Sequence, residues 1–201
     1  IVDGGEGEDT LIWDFSDYNP NDFGTNSNSE EGLNIELNID AFNRQFISNS
    51  EIFIAQHSGF ERGEFVGTKF DDRFEINAIS SVVDAKAGND TLIGGAGSDT
   101  LIGGTGIDEL FGGEGSDTFV FGNGNGTDRI EDFDPSEDLI GLLEGELTFA
   151  DISLTQQDNN LILGISDTGE ELAVLVKVSV DAISEDSFVT IADVFNIDDA
   201  I

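Results

Sequence analysis

The sequence contains no cysteine among its 201 residues. A chain without thiols can form neither disulfides nor thiolate metal sites, so its stability must come from packing and from any bound metal. No stretch approaches the roughly 18 apolar residues of a membrane-spanning helix, and we expect no signal peptide among the first residues given. The sequence begins with Ile1, and we expect it to be a fragment of a longer protein.

Basic residues are scarce, since 7 Lys and Arg stand against 43 Asp and Glu and give a formal net charge of −36. The seven bases form no cluster, so neither nucleic acid nor an anionic membrane is an expected partner. Repulsion of this size opposes a compact metal-free chain, and bound divalent cations would relieve it. Adaptation to high salt is the alternative explanation, but the regular spacing of many of the acids favours metal ligation.

Signatures of catalysis are also missing. The only histidine is His57, and the sequence holds neither HExxH nor GxSxG. With 43 acids, a pair of carboxylates at glycosidase distance is expected by chance and carries little information. We therefore expect a chain that is not an enzyme, and we assign no catalytic residue.

A nine-residue unit occurs four times between residues 83 and 120, in VDAKAGNDTLI, which includes two preceding residues, and in GGAGSDTLI, GGTGIDELF and GGEGSDTFV. Glycine permits positive φ, so each unit predicts a tight loop followed by three extended residues. Strands this short are stable only if copies stack, each pairing with the copy before the previous one, which makes a turn of about 18 residues. Large apolar residues keep the same nine-residue step at Phe65, Phe74, Val83, Leu92, Leu101, Leu110 and Phe119.

These units resemble the repeats-in-toxin (RTX) nonapeptide GGxGxDxUx, a calcium-binding β-helix repeat. The resemblance implies an all-β fold, a right-handed parallel β-roll, with several Ca²⁺ ions in rows between its loops. Glycine carbonyls and the aspartates at position six would be the ligands, and oxygen donors of this kind suit calcium. The implied metal ligands are Asp9, Asp72, Gly88, Asp90, Gly95, Gly97, Asp99, Gly104, Gly106, Asp108, Gly113, Gly115, Asp117, Gly124, Gly126, Asp128 and Asp138.

The repeat extends unevenly to both sides. Residues 4–12 form one unit with Asp9 and Leu11 in the key places, whereas residues 13–60 do not repeat and predict an insertion that leaves the roll. Within this insertion, residues 34–39 alternate as a half-buried strand does, and residues 51–54 are a second candidate. After the insertion, Ser81 occupies one aspartate position of the repeat.

An 18-residue turn predicts which loops share an ion. The predicted pairs are Asp72 with Asp90, Asp90 with Asp108, Asp99 with Asp117, and a defective pair of Ser81 with Asp99. After an extra Phe121-Gly122, Asp128 and Asp138 continue the series, with Asp132 and Asp134 as additional candidates near the closing turn.

Residues 142–201 no longer follow the repeat. Residues 152–155 and 161–163 flank QQDNN as a hairpin, residues 172–178 predict a central strand, and Ser184 is expected to cap a short helical turn before a strand at 188–191. We therefore divide the chain into a roll, residues 1–141, and a β-rich cap, residues 142–201, that covers its open end. The final residues VFNIDDAI are too generic to identify a secretion signal.

The expected function is a calcium-stabilised module of a secreted or cell-surface protein, exported by type I secretion and folded by extracellular calcium. Two alternatives stay open. One is a polysaccharide-binding or adhesive module, although the outward residues Arg73, Thr91, Thr100, Glu109 and Thr118 form no aromatic or basic row. The other is a self-assembling surface-layer or filament unit.

Overall fold

The computed structural model describes residues 62–76 and 80–192 throughout, and the strand segments 2–3, 10–14, 34–37 and 57–58. In these ranges the chain forms strands joined by turns, with three single-turn 3-10 helices at Phe149–Asp151, Val180–Ala182 and Glu185–Ser187. None of these helices is long or apolar enough to cross a membrane. The strands are β1 (Val2–Asp3), β2 (Thr10–Asp14), β3 (Asn34–Leu37), β4 (His57–Ser58), β5 (Arg62–Val66), β6 (Arg73–Ile76), β7 (Ser80–Asp84), β8 (Thr91–Ala96), β9 (Thr100–Ile102), β10 (Glu109–Glu114), β11 (Thr118–Phe121), β12 (Asp128–Ile130), β13 (Leu139–Leu143), β14 (Ile152–Gln157), β15 (Asn160–Ile165), β16 (Glu171–Leu175) and β17 (Phe188–Ile191).

Through the repeats, consecutive strands alternate between two parallel sheets. One sheet has seven strands in the order β17-β13-β11-β9-β7-β5-β2, and the other has eight in the order β14-β15-β16-β12-β10-β8-β6-β3. Each repeat strand therefore pairs with the strand two units away, as Thr91 of β8 does with Glu109 of β10. This arrangement confirms the predicted all-β parallel roll.

The core lies between the two sheets and contains the residues that recur every nine positions. All seven of the residues predicted from this step have at most 1% of their surface exposed. Burial of a large apolar side chain contributes about 1.5 to 3 kcal/mol, so the repeat encodes the core as well as the loops. Ile130 and Ile140 are fully buried and continue the two rows.

The strands differ in length between the sheets. The prediction of three extended residues per unit is confirmed for β9 but is wrong for β8 and β10, which have six residues each. In these two strands Gly95 pairs with Gly113, so the ladder continues into the glycine loops. Extended pairing is possible there because the loops of neighbouring turns superimpose.

Two of the N-terminal strands, β2 and β3, belong to the same sheets, whereas β1 and β4 pair with each other in a separate two-stranded sheet. β2 pairs with β5 in a register that sets Trp13 beside Phe65 and the predicted Leu11 beside Gly63. Phe65 is thus paired with Trp13 and not with Leu11, because pairing follows the register of the strand and not the nonapeptide count. β3 pairs with β6, so the predicted insertion supplies a strand to the roll. Asp9 and residues 51–54 lie outside the described ranges.

The C-terminal strands close both sheets. β14 and β15 form the predicted antiparallel hairpin, and β16 lies between β15 and β12. The predicted central strand at 172–178 is confirmed in position but ends at Leu175, because Lys177 adopts a φ of 60° in the turn that follows. β17 pairs with β13, after the 3-10 turn predicted to follow Ser184.

Candidate metal centre

A ladder of hydrogen bonds joins the position-six aspartates. The backbone N–H of Asp72 donates to Oδ1 of Asp90 at 2.6 Å, and that of Asp90 donates to Oδ1 of Asp108 at 2.7 Å. On the opposite edge of the roll, the N–H of Asp99 donates to Oδ1 of Asp117 at 2.9 Å. These contacts confirm that the three predicted pairs are neighbours, one turn apart.

The ladder continues through the irregular turns. The N–H of Asp108 donates to Oδ1 of Asp128 at 3.1 Å across 20 residues, and that of Asp117 donates to Oδ1 of Asp138 at 2.9 Å across 21 residues. The additional residues are accommodated without loss of register. Asp128 and Asp138 therefore occupy the places that the sequence predicted.

Ser81 keeps part of the ladder despite lacking a carboxylate. Its N–H and its hydroxyl both donate to Oδ1 of Asp99, each at 2.7 Å. The hydrogen bonds between successive turns are therefore kept at Ser81, although the pair of Ser81 and Asp99 contains only one carboxylate.

The second oxygen of the inner aspartates has no partner within the protein. Oδ2 is buried and accepts no hydrogen bond in Asp90, Asp99, Asp108, Asp117 and Asp128. An isolated buried carboxylate oxygen is costly unless it is paired or coordinates a metal. The five atoms are therefore the strongest indication of a cation-binding site in the described part of the chain.

The ends of the ladder are different. Oδ2 of Asp72 accepts the N–H of Thr68 at 2.6 Å, and Oδ2 of Asp138 accepts the N–H of Asp134 at 2.8 Å. These two predicted ligands are thus engaged by their own loops, whereas the inner five each leave one oxygen free.

Burial changes the acidity of the inner carboxyls. Desolvation raises the pKa of Asp90 to about 8, of Asp99 to about 7 and of Asp117 to about 6. It also raises the pKa of Asp108 and of Asp128, which lie close together. A cation at the free oxygens would favour the charged form and oppose this effect.

The predicted glycines shape the loops around the aspartates. Gly106 and Gly115 have φ of 144° and 124°, and a Cβ at either would overlap the carbonyl oxygen of the glycine one turn earlier, Gly88 or Gly97. Loop backbones are therefore in direct contact, with carbonyl oxygens between them. All nine predicted glycines have positive φ: Gly88, Gly95, Gly97, Gly104, Gly106, Gly113, Gly115, Gly124 and Gly126.

The first glycine of each repeat was not among the predicted site residues. A Cβ on Gly94, Gly103 or Gly112 would overlap Oδ2 of the aspartate five residues later. The signal was present in the sequence as the first member of each GG doublet. These glycines leave the space that the free oxygen occupies.

Asp132 completes the loop at the end of the roll. Its carboxylate accepts the N–H of Gly112 at 2.9 Å and that of Gly113 at 3.1 Å. The other additional candidate, Asp134, is exposed and accepts the N–H and hydroxyl of Ser136 at 2.8 and 2.6 Å, which lowers its pKa. Only Asp132 therefore reaches a neighbouring repeat loop.

No group of three or more His, Cys, Asp or Glu side chains that could hold a metal is found in the described ranges. A cation here would therefore depend on backbone carbonyls together with the ladder carboxylates. Such an all-oxygen donor set fits calcium, which accepts six to eight oxygens in flexible geometry.

Comparison with known proteins supports this chemistry. A sequence model of the RTX calcium-binding nonapeptide repeat matches residues 81–109 and 93–128, with four copies. The extracellular lipase LipA from Serratia marcescens is 30% identical with a TM-score of 0.50, over 62% of this chain and 20% of that chain. The chain thus spans about a fifth of the length of that lipase.

Two solution structures from the Azotobacter vinelandii mannuronan C5-epimerase are also similar. The AlgE6R3 subunit is 30% identical over 60% of this chain and 78% of that chain, with a TM-score of 0.48. The AlgE6R2 subunit is 27% identical over 64% and 93%, with a TM-score of 0.45. No curated protein matched this chain.

Proposed function

Since this chain belongs to the family of RTX calcium-binding repeat proteins, we propose that it is a structural module of a secreted or cell-surface protein and that calcium completes its fold outside the cell. The observation that carries the proposal is the set of five buried, unpartnered Oδ2 atoms on the two edges of the roll. We further propose that the parent protein leaves the cell by type I secretion.

The ions would lie in two rows. Asp90, Asp108 and Asp128 would serve one edge of the roll, and Asp99 and Asp117 the other, together with the carbonyls of the positive-φ glycine loops. Calcium would supply the positive charge that these carboxylates lack. The protein's own contribution is to fix each aspartate through Oδ1, so that Oδ2 is directed to one place.

Folding and calcium binding would be coupled. The net charge of −36 opposes a compact chain, and a cation bound only by the folded roll adds its binding free energy to stability. Extracellular modules bind calcium with dissociation constants of about 0.1 to 1 mM. Such a module stays loosely folded in the calcium-poor cytoplasm and folds outside.

We propose no catalytic role for this chain. The activity named for LipA belongs to a protein of which the chain spans 20%. Polysaccharide binding is a weaker candidate, because outward arginines are engaged by carboxylates two residues further along the chain. Arg73 pairs with Glu75 at 2.7 Å, and Arg129 pairs with Glu131. Self-assembly is tested by size-exclusion chromatography with and without calcium.

The substitution Asp108→Asn tests the proposed site. Asparagine keeps an oxygen for the N–H of Asp90 but lacks the charge at Oδ2, so we expect the calcium midpoint of folding to rise about tenfold, or about 1.4 kcal/mol. Circular dichroism during calcium titration measures the midpoint, and calorimetry counts the bound ions.

The matched control is Asp167→Asn, which removes the same charge from an exposed turn. We expect its calcium midpoint to equal that of the unmodified chain. Equal midpoints for the Asp108 and Asp167 variants would show that calcium-dependent folding depends on the net charge of the chain and not on the ladder carboxylates.

A further inference from the structure

The loop between β11 and β12 contains two consecutive Asn-Gly pairs, Asn123-Gly124 and Asn125-Gly126. We propose that Asn123 is a site of spontaneous deamidation in the folded protein, and that stacking of the loops protects Asn125. Sequence alone would treat the two pairs alike, and the structure separates them.

The reaction needs no enzyme and no reactant other than water. The backbone nitrogen of the glycine loses its proton and bonds to Cγ of the asparagine, while the Cγ–Nδ2 bond breaks and ammonia leaves. Water then opens the resulting succinimide at either carbonyl and gives aspartate or isoaspartate. Glycine favours the first step because it has no Cβ to hinder the approach of its nitrogen.

Asn123-Gly124 lies in an open turn. Both residues are exposed, and a Cβ on Gly124 would meet no atom within 4 Å. The turn is held by side chains: the N–H of Asn123 donates to Oε2 of Glu146 at 2.8 Å, and that of Gly124 donates to Oε1 of Glu170 at 3.1 Å. Succinimide formation requires rotation of these two side chains and release of the 3.3 Å hydrogen bond that Nδ2 of Asn123 donates to the Glu146 carbonyl. The Glu170 carboxylate already contacts the N–H whose proton must leave.

The Asn125-Gly126 pair is held by backbone contacts with the loop one turn earlier. The carbonyl of Asn125 accepts the N–H of Gly106 at 2.8 Å, and Gly126 forms a parallel bridge with Gly106. A Cβ on Gly126 would overlap the carbonyl oxygen of Gly106. Ring closure at Asn125 would rotate this peptide away from Gly106, so it requires separation of two stacked loops.

Reaction at Asn123 would alter the end of the roll. A new carboxylate would lie beside Glu146 and Glu170, and isoaspartate would add a methylene group to the backbone five residues before Asp128. Like charges at this distance repel. We therefore expect aged protein to need more calcium to fold, a consequence that rests on the proposed function, whereas the deamidation itself does not.

The test is an incubation of the full chain with calcium at mildly alkaline pH, followed by digestion with a Glu-specific protease. The fragment 115–131 carries Asn123 and Asn125 and no other asparagine or glutamine. Fragment-ion masses locate the exchange of NH₂ for OH. We expect Asn123 to convert at least several-fold faster than Asn125, and the two to convert at similar rates in urea.

Two variants serve as matched controls. Asn123→Gln should remove the early mass change, and Asn125→Gln should leave it intact. Equal rates at the two sites in calcium-loaded protein would overturn the proposal, and so would a folded chain that shows no change while the chain in urea converts. If Asn125 stayed protected after calcium removal, the calcium-dependent fold would be wrong while the assignment of Asn123 stood.

Discussion

The position-six aspartate uses its two oxygens for different purposes. Oδ1 accepts a backbone N–H from the preceding turn, as Asp108 does from Asp90 at 2.7 Å. Oδ2 has no partner within the protein in the inner five members of the ladder. The same residue therefore sets the register of the roll and presents a free carboxylate oxygen.

This division predicts how the metal-free chain responds to pH. Burial raises the pKa of Asp90 in the folded roll from 3.8 to about 8, so the protonated carboxyl favours folding and the ionised one opposes it. The metal-free roll should be most stable near pH 4 and should lose stability as the pH rises towards 8. Urea unfolding in calcium-depleted buffers across this range measures the effect.

Calcium should reverse the direction of this pH dependence. Ions bind the deprotonated carboxylate, so the calcium-loaded roll should gain stability as the pH rises. A metal-free chain that became more stable at higher pH would show that these carboxyls are not desolvated as the structure indicates.

At the scale of the loop and strand, stacking depends on glycine for two reasons that can be separated. Gly106 has positive φ and no space for a Cβ beside the Gly88 carbonyl. Gly145 also has positive φ, 80°, but a Cβ added there would meet no atom within 4 Å. Gly145→Ala should therefore cost about 1 kcal/mol of unfolding free energy, the penalty of the left-handed backbone alone.

Gly106→Ala should cost about 1 to 3 kcal/mol more than Gly145→Ala, because it also forces two loops apart. Thermal unfolding at a fixed, saturating calcium concentration compares the two variants. Equal losses of stability would mean that the loops are not in backbone contact.

The repeat made the roll, its core and its aspartate pairs predictable, since one nine-residue step specifies loop, strand and register together. It did not predict that β8 and β10 extend through Gly-Gly, because that depends on the superposition of neighbouring loops. Nor could it show that Thr68 engages Asp72 at 2.6 Å. The pairing of Trp13 with Phe65 was also missed, because pairing outside the repeat follows neighbouring strands and not sequence count.

At the scale of the whole molecule, the C-terminal strands cover both sheets. β16 pairs with β12, and β17 pairs with β13, while Leu161, Leu172 and Leu175 are fully buried. These contacts, all made by residues up to 192, support the prediction that the segment after the repeats caps the roll.

A chain truncated after Leu143 tests that prediction. Removal of the later strands would expose Ile130 and Ile140 at open sheet edges, so we expect aggregation and binding of a hydrophobic dye. Size-exclusion chromatography and dye fluorescence measure both. If the truncated chain stayed monomeric with an unchanged calcium midpoint, the C-terminal segment would have a role other than capping.

Removal of calcium should affect the molecule as a whole. In chelator at neutral to mildly alkaline pH, where the ladder carboxyls ionise, we expect loss of the β-sheet circular dichroism signal and its return on addition of millimolar calcium. Magnesium should substitute poorly, because it demands a small octahedral shell and retains its water. An unchanged spectrum and melting temperature in chelator would contradict a calcium-dependent fold.

The alternation of strands between two sheets also limits how the gene can change in length. Asp90 contacts Asp108 across 18 residues, so deletion of one whole turn joins equivalent positions and leaves every later strand on its own sheet. Deletion of a single nine-residue unit would instead transfer β12 and β13 to the opposite sheets, and with them the places where β16 and β17 pair. Insertions and deletions within the repeats should therefore be tolerated in pairs of units, and rolls of this design should differ in length by even numbers of repeats.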